Sequence, residues 1–214
     1  MKLTPTTRYC KICFKEMKTD DISRLFDGDI CICQKCQDEF DPKFKSFKVD
    51  GYKALAIYEY TPFIKKQIYL YKGCFDYELN DTFINLFIKE IKLRFHGYSV
   101  IPIPSYIEDD KKRGFNHVIE AFKKLDLEVL PIIEKTAHQK QADKSAKKRK
   151  EIGKYLAFKN PISLESKKVL IVDDIYTTGA TMRATINMVE KLNPKDIKVL
   201  VLAKTSDKGF EKVK

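Results

Sequence analysis

The chain has 214 residues, of which 43% are hydrophobic and 12% aromatic, and it carries a formal net charge of +11 at pH 7. No run approaches the roughly 18 uncharged apolar residues of a membrane-spanning helix, and the N-terminal residues lack the apolar region of a secretory signal. This excludes a helical membrane protein, so we expect a soluble, folded, cytoplasmic protein. The positive charge predicts attraction to polyanions, whether nucleic acid, phosphorylated metabolites or an anionic membrane face.

Four cysteines near the N-terminus form two CxxC pairs, Cys10 with Cys13 and Cys33 with Cys36, separated by 19 residues. This spacing is typical of two tight knuckles that bring four thiolates to the corners of a tetrahedron around zinc. Disulfides are the alternative, which a cytoplasmic chain disfavours. A module of about 40 residues has too small a core to fold alone, so a structural zinc ion should supply much of its stability. Cys31 could replace Cys33 as a ligand or remain a free thiol, and the CxxC spacing favours Cys33.

A stretch rich in proline, lysine and phenylalanine, residues 41–51, predicts the joint between this module and a main domain. We expect a four-cysteine zinc ribbon at residues 1–42 and an α/β domain with a mainly parallel sheet at residues 43–214, because strand and helix patterns alternate there. The predicted elements in chain order are a strand at Tyr52–Tyr60, a helix beginning at Pro62, an amphipathic helix at Asp76–Phe95, a strand at 98–104, a helix from about Asn116 to Leu125, a strand at 169–174, a helix from about Gly179 to Leu192 and a strand at 196–203.

Residues 135–154 differ in composition from their surroundings, with eight basic and two acidic residues and no apolar periodicity. A polar, strongly charged run of this kind lacks the apolar side chains that would fix it to a core. The composition therefore predicts a mobile segment.

The segment VLIVDDIYTTGATM, residues 169–182, ends an apolar strand with two adjacent carboxylates, Asp173 and Asp174. A loop of small residues follows and leads into a helix, whose first backbone N–H groups have no internal partner and attract an anion. A ribose with a phosphate at its 5′ position would place its 2′- and 3′-hydroxyls against the carboxylates and its phosphate in the loop. The alternative is a strand end with solvated aspartates and a capped helix. The residues expected around the phosphate are Thr177, Thr178, Gly179, Ala180 and Thr181.

This segment resembles the phosphoribosyl diphosphate (PRPP) signature of type I phosphoribosyltransferases. The chain also has YKG at Tyr71–Gly73, VIPIP followed by RGFN at Arg113–Asn116, and KTAHQKQ at Lys135–Gln141 followed by Arg149. Together with the paired CxxC ribbon, this order of motifs resembles the ComF family of late competence proteins and their GntX-type relatives. The resemblance covers nearly the whole chain and implies a type I phosphoribosyltransferase-like fold.

The resemblance also implies roles for two loops. Residues 109–116 match the diphosphate-binding loop, with Arg113 and the backbone of Gly114 facing the leaving group, and Lys135–Arg149 matches a flexible loop that closes over the ligand. Lys135 departs from the family pattern, because relatives generally have an arginine there, and lysine does not offer the same bidentate contact. PRPP would bind with Mg²⁺, and Asp173 and Asp174 would act as catalytic groups if diphosphate were displaced, by supporting a cationic sugar.

Two hypotheses about function stay open, because no segment identifies an acceptor. In the first, which the resemblance implies, the protein binds PRPP and handles imported single-stranded DNA in natural transformation, with competence proteins at the inner face of the cytoplasmic membrane as partners. In the second it is an active phosphoribosyltransferase with an unidentified acceptor.

DNA binding would draw on two groups of side chains. Phe44, Phe47, Tyr69 and Tyr71 are candidates to stack on bases, although we expect most of them in the core. The basic residues expected to contact DNA phosphates are Lys140, Lys144, Lys147, Lys148, Arg149 and Lys150.

The three histidines, at 96, 117 and 138, fit no metal or triad spacing, and we expect structural or surface roles for them.

Overall fold

The computed structural model describes residues 8–17, 31–136, 155–160 and 162–206 of the chain. The strands in these parts are β1 Arg8–Tyr9, β2 Glu16–Met17, β3 Lys45–Val49, β4 Tyr52–Glu59, β5 Tyr98–Pro102, β6 Ile133–Lys135, β7 Leu156–Phe158, β8 Lys168–Tyr176 and β9 Asp196–Lys204. The helices are α1 Gln34–Phe40, α2 Pro62–Gly73, α3 Ile88–Arg94, α4 Ile107–Arg113, α5 His117–Phe122 and α6 Ala180–Glu190.

A five-stranded sheet in the order β3–β4–β9–β8–β5 forms the centre of the molecule. The four strands from β4 to β5 are parallel, and β3 pairs antiparallel with β4 at one edge. Two short antiparallel pairs, β1 with β2 and β6 with β7, lie outside this sheet. The sheet confirms the predicted α/β class with mainly parallel strands.

Both faces of the sheet are buried, as the continuous apolar runs of its inner strands require. On β8, Leu170 and Val172 pack with residues of α2 and α5 on one face, whereas Val169 and Ile171 pack with residues of α6 on the other. Because all four parallel strands end at the same edge, the loops that follow them meet there, and that edge is where α/β folds bind ligands.

The start of α2 follows from its first residues. The Thr61 side chain accepts a hydrogen bond from the backbone N–H of Ile64 at 3.2 Å, and Pro62 occupies the first turn, where its missing N–H has no cost. The predicted helix after Pro62 is therefore confirmed.

The predicted helix over Asp76–Phe95 is wrong. Two 3₁₀ turns, Tyr77–Leu79 and Asn85–Phe87, precede the short α3. The buried Tyr58 hydroxyl donates to the Phe83 carbonyl at 2.5 Å. The Phe87 N–H donates instead to the carbonyl of the next residue, Ile84, as in a 3₁₀ turn. A contact from a distant strand therefore replaces the i to i+4 hydrogen bond of the expected helix.

The cysteine-containing segment packs on the main sheet. Cys10, Cys36 and Phe40 belong to the same buried cluster as Tyr58, and the Phe40 and Tyr58 ring centroids lie 5.4 Å apart. Within the predicted joint, residues 45–49 form β3 and so belong to the central sheet. The boundary near residue 42 remains a prediction.

Two further observations bear on the expectations from sequence. Within the described parts of the chain, no helix combines the length and the apolar character needed to cross a membrane. Residues 137–154 lie outside the described residues, so the predicted mobility of the basic segment remains a prediction.

Candidate functional site

The four CxxC cysteines converge. The sulfur atoms of Cys10, Cys13, Cys33 and Cys36 all lie within 4.8 Å of one another, and those of Cys13 and Cys33 are 3.7 Å apart. Four sulfurs bound tetrahedrally at about 2.3 Å from zinc would be separated by roughly 3.8 Å. The cluster therefore fits a metal ion such as zinc, held by four protein ligands with no open position.

Electrostatics of the cluster favour thiolate ligands. Burial raises the pKa of Cys10, but backbone N–H groups at Cys33, Cys13 and Ile12 lower it, to about 7 overall. Burial and the neighbouring sulfurs raise the pKa of Cys36 above its ordinary value. A divalent cation would offset that increase and hold all four groups as thiolates.

Cys31 lies apart from these ligands. Its sulfur contacts an Asp81 carboxylate oxygen at 3.5 Å, and burial together with that carboxylate raises the pKa of Cys31 to about 12. Asp81 also accepts hydrogen bonds from Lys11, which attaches the knuckle to the main domain. This geometry favours Cys33 as the ligand, in agreement with the CxxC spacing.

Asp174 is the most enclosed carboxylate of the predicted ribose site, since only 5% of the residue is exposed. The Lys72 ammonium on α2 lies 2.5 Å from Asp174 Oδ2, and His117 Nε2 lies 3.4 Å from the same oxygen. The other carboxylate oxygen, Oδ1, accepts a hydrogen bond from the Ile175 N–H at 2.7 Å. Asp174 thus joins β8 to the helices on one face of the sheet.

The two adjacent carboxylates respond differently to this environment. Burial raises the pKa of Asp174, but Lys72 and His117 more than offset this, so the pKa falls below its ordinary value. Burial and the neighbouring Asp174 charge raise the pKa of Asp173 well above its ordinary value. A hydroxyl donor or a cation beside Asp173 would favour its ionised form, so its charge is linked to ligand binding.

Arg113 reaches this site through His117. Its guanidinium donates to Asp110 Oδ1 at 2.8 Å and to the Lys72 carbonyl at 2.9 Å, and its Nη1 lies 3.3 Å from His117 Nδ1. Because arginine only donates, His117 Nδ1 would accept in this contact, while Nε2 faces Asp174. The side chain of Arg113 is 9% exposed, so a contact with diphosphate would require it to leave these partners.

The predicted diphosphate loop contains a helix. Residues 109–113 lie in α4, and Gly114 ends it in the left-handed conformation at φ 87°. Asn116 then caps α5 by accepting from the Ile119 N–H at 2.9 Å, and its amide donates to Asp110 at 2.8 Å. The helix and its cap hold Gly114 where space is open around its Cα.

The loop after β8 has the backbone expected for a phosphate site. Gly179 is buried in the left-handed conformation at φ 69°, and a Cβ there would lie 2.3 Å from the Tyr176 hydroxyl oxygen. Only glycine fits this turn, and α6 begins at the next residue. The other predicted loop residues surround it, the first two exposed and the last two partly buried: Thr177, Thr178, Ala180 and Thr181.

The remaining candidates from sequence divide into two groups. Tyr71 is fully buried and donates to the His117 carbonyl, so it is wrong as a stacking candidate, whereas Tyr69 is 62% exposed. Phe44 and Phe47 are partly buried in ring contacts with Phe87 and Tyr176. Outside the described residues lie Lys140, Lys144, Lys147, Lys148, Arg149 and Lys150.

Two residues of the site were not assigned to it from sequence. Lys72 lies in the YKG motif, to which the sequence assigns no role, and the sequence predicts a structural or surface role for His117. Lys72 and Asp174 are 102 positions apart in sequence, so only the packing of α2 on the sheet brings them together.

Comparison with known proteins finds sequence similarity to phosphoribosyltransferases and to a competence protein. A family model described as "Phosphoribosyl transferase domain" matches residues 111–214. "Competence protein ComFC" of Streptococcus pneumoniae (strain ATCC BAA-255 / R6) is 27% identical over 222 residues, covering 91% of this chain and 99% of that protein. "Adenine phosphoribosyltransferase" of Symbiobacterium thermophilum is 53% identical over 45 residues, 21% of this chain and 26% of that protein.

Two solved structures are also similar. Purine phosphoribosyltransferase from Pyrococcus horikoshii Ot3 has 20% identity and a TM-score of 0.37, covering 58% of this chain and 73% of that chain. A hypoxanthine-guanine phosphoribosyltransferase from Bacillus anthracis has 13% identity and a TM-score of 0.40, covering 63% and 74%. A phosphoribosyl transferase domain therefore occupies residues 111–214, and the similarity to ComFC along 91% of the chain is consistent with the ComF family.

Proposed function

We propose that this protein binds PRPP with Mg²⁺ at the end of β8 and acts on imported single-stranded DNA in natural transformation. The observation that carries the PRPP proposal is the continuous run from Asp173 through the left-handed Gly179 to the start of α6. In this run, carboxylates that can accept hydrogen bonds from ribose hydroxyls are followed closely by the N–H donors of a helix N-terminus, which suit a phosphate. A ribose 5-phosphate requires both kinds of group.

The magnesium ion is proposed from the chemistry of the ligand. Mg²⁺ keeps several waters and binds phosphate oxygens with one or two carboxylates. Lys72 pairs with Asp174, and within the described residues no ion pair involves Asp173, so Asp173 is the carboxylate we expect beside the magnesium ion. When bound, the ion would neutralise the diphosphate. The cysteine cluster would hold zinc as the core of a ribbon at residues 1–42, followed by the phosphoribosyltransferase-like domain at 43–214.

A role in transformation is supported by similarity to a competence protein along nearly its whole length. The net charge of +11 supports attraction to single-stranded DNA. Residues 140–150 would contact DNA phosphates, and competence proteins at the inner face of the cytoplasmic membrane would be partners. Arg113 and Gly114 would take part in diphosphate binding after the guanidinium rearranges.

An active phosphoribosyltransferase with an unidentified acceptor is the second candidate, favoured by the family match over residues 111–214. Displacement of diphosphate builds positive charge on the sugar, which carboxylates stabilise. The Lys72 ammonium lies 2.5 Å from Asp174 and so reduces the ability of this carboxylate to stabilise positive charge on the sugar. This contact favours a binding role over catalysis.

Calorimetric titration of PRPP into the zinc-loaded protein with Mg²⁺ tests the ligand. We expect Asp173→Asn to weaken binding roughly 10- to 100-fold, because charge-assisted hydrogen bonds contribute about 1.5–3 kcal/mol. Asp50→Asn is the control, since Asp50 is exposed in the β3–β4 turn, where asparagine also tolerates its φ of 48°. Equal affinity of wild type and Asp173→Asn would refute the site.

Salt dependence tests the DNA contacts. Neutralising Lys147, Lys148 and Arg149 should reduce the slope of log affinity against log salt by about 2, since each phosphate contact on a single strand contributes about 0.7. The matched control removes three exposed basic residues of α3, Lys89, Lys92 and Arg94, and should leave the slope unchanged. An unchanged slope in the first variant would remove residues 147–149 from the DNA site.

Diphosphate release tests the second candidate. Acceptor-dependent release that disappears in Asp173→Asn and in Asp174→Asn would establish transferase activity. Release that persists in both variants would mean that the reaction takes place elsewhere.

A further inference from the structure

An open groove of about 410 Å³ lies beside the predicted ribose site. Apolar atoms line it almost entirely, and its lining includes Ile68 of α2 and Ile175 of β8. Ile175 directly follows Asp174 in the chain. The groove therefore opens next to the PRPP site, within the volume range of small-ligand sites.

Two tyrosines give the groove aromatic surfaces. Tyr69 is 62% exposed, and its ring lies against the backbone of Gly73, where a Cβ would be 2.9 Å from Tyr69 Cε2. The glycine of the YKG motif thus lets the ring lie close to the end of α2. Tyr60 is partly buried, and the charges of Lys72 and Asp174 act on its hydroxyl.

The charged residues of the groove are all cationic. Lys65, Lys66 and Lys72 line it, and no acidic residue does so in the described parts of the chain. Aromatic faces beside lysines suit a planar base that carries a phosphate. An acidic peptide would satisfy the lysines but would leave the apolar and aromatic surface without a planar partner.

We propose that this groove binds an unpaired nucleobase and its phosphate, supplied by single-stranded DNA, with Tyr69 stacking on the base and Lys65 and Lys66 contacting the backbone. The proposal rests on the proposed role in handling imported single strands. It adds residues of α2 to the DNA contacts proposed above. Lys72 lines the groove and also binds Asp174, so DNA and PRPP would meet at this residue.

Fluorescence anisotropy with a labelled oligothymidylate of about 12 nucleotides, on the zinc-loaded full chain, tests the site. Tyr69→Ala should weaken binding at least about fivefold, whereas Tyr69→Phe should bind like the wild type, because base stacking contributes about 1–3 kcal/mol. Lys65→Ala/Lys66→Ala should weaken binding and flatten its salt dependence. The matched control Lys89→Ala/Lys92→Ala removes the same charge from the exposed face of α3 and should have no such effect.

The outcomes separate the groove from the wider function. If the wild type binds the oligonucleotide and Tyr69→Ala binds equally well, the groove is refuted while DNA binding stands. If the wild type does not bind it, DNA binding itself fails, and the groove proposal with it. If thymidine monophosphate bound as tightly as the oligothymidylate, the groove would be assigned to free nucleotides. If duplex DNA bound as tightly as the oligothymidylate, or if polyglutamate of equal charge displaced the oligothymidylate, an unpaired base would be excluded as the ligand.

Discussion

The ion pair between Lys72 and Asp174 predicts that removal of the two charges will have unequal effects on stability. Removing one partner of a fully buried pair costs roughly 3–5 kcal/mol, since the other charge stays buried. The Lys72 side chain is 37% exposed and that of Asp174 is 7% exposed. We therefore expect Lys72→Met, which leaves the buried charge, to cost about 2 kcal/mol after partial screening by water. Asp174→Asn leaves an ammonium that can reach water and should cost about 1 kcal/mol.

The pH dependence of the same variant gives a second result. Lys72 and His117 hold the pKa of Asp174 below its ordinary value, so its stabilising contribution is present above the unfolded pKa of about 3.9 and is lost as pH falls through the folded pKa. Without Lys72, burial raises the pKa of Asp174, and the charged group destabilises the fold. The loss in Lys72→Met should therefore be largest near neutral pH and should shrink as the pH is lowered.

Urea unfolding of the zinc-loaded protein at about pH 7.5 and about pH 5 measures these differences, with Lys65→Met as the control. Lys65 is an exposed lysine on the same helix, and its replacement should change stability by less than about 0.5 kcal/mol. The reasoning would be refuted if Asp174→Asn cost as much as Lys72→Met, or if the loss in Lys72→Met did not change with pH.

Three further predictions concern the metal cluster, the phosphate loop and the core. Cys10→Ser should lose bound zinc, measured by atomic absorption after gel filtration, while Cys31→Ser should keep it; loss in both would make Cys31 a ligand. Gly179→Ala should lower the free energy of unfolding in urea by about 1–2 kcal/mol and abolish PRPP binding, because Gly179 has a φ of 69° and the Tyr176 ring lies beside it. A variant as stable as the wild type would contradict this left-handed turn. Tyr58→Phe should lower stability by about 1–3 kcal/mol in thermal unfolding, since the buried Phe83 carbonyl loses its donor; an unchanged midpoint would refute that contact.

The elements that sequence predicted well have local causes. The apolar run of β8 and the glycine before α6 specify strand, turn and helix within one short continuous segment. Thr61 and Pro62 likewise begin α2 through contacts within one turn. The paired CxxC spacing is also local, and it located all four sulfurs of the metal cluster.

The elements that sequence missed depend on distant partners. The break in the helix predicted over Asp76–Phe95 depends on the hydroxyl of Tyr58, which lies 25 positions from its acceptor. The role of Lys72 depends on Asp174, 102 positions away. Apolar periodicity records which face of a segment is buried, but it does not record which polar group on another element will compete for a backbone carbonyl or neutralise a carboxylate.

A crystal structure of the zinc-loaded protein with PRPP and Mg²⁺ tests the proposed ligand site most directly. We expect the 5′-phosphate at the backbone N–H groups between Thr177 and Thr181, and the ribose hydroxyls within hydrogen-bond distance of Asp173 and Asp174. PRPP bound away from β8, or a saturated crystal with no ligand at this loop, would contradict the assignment of the segment as the PRPP site.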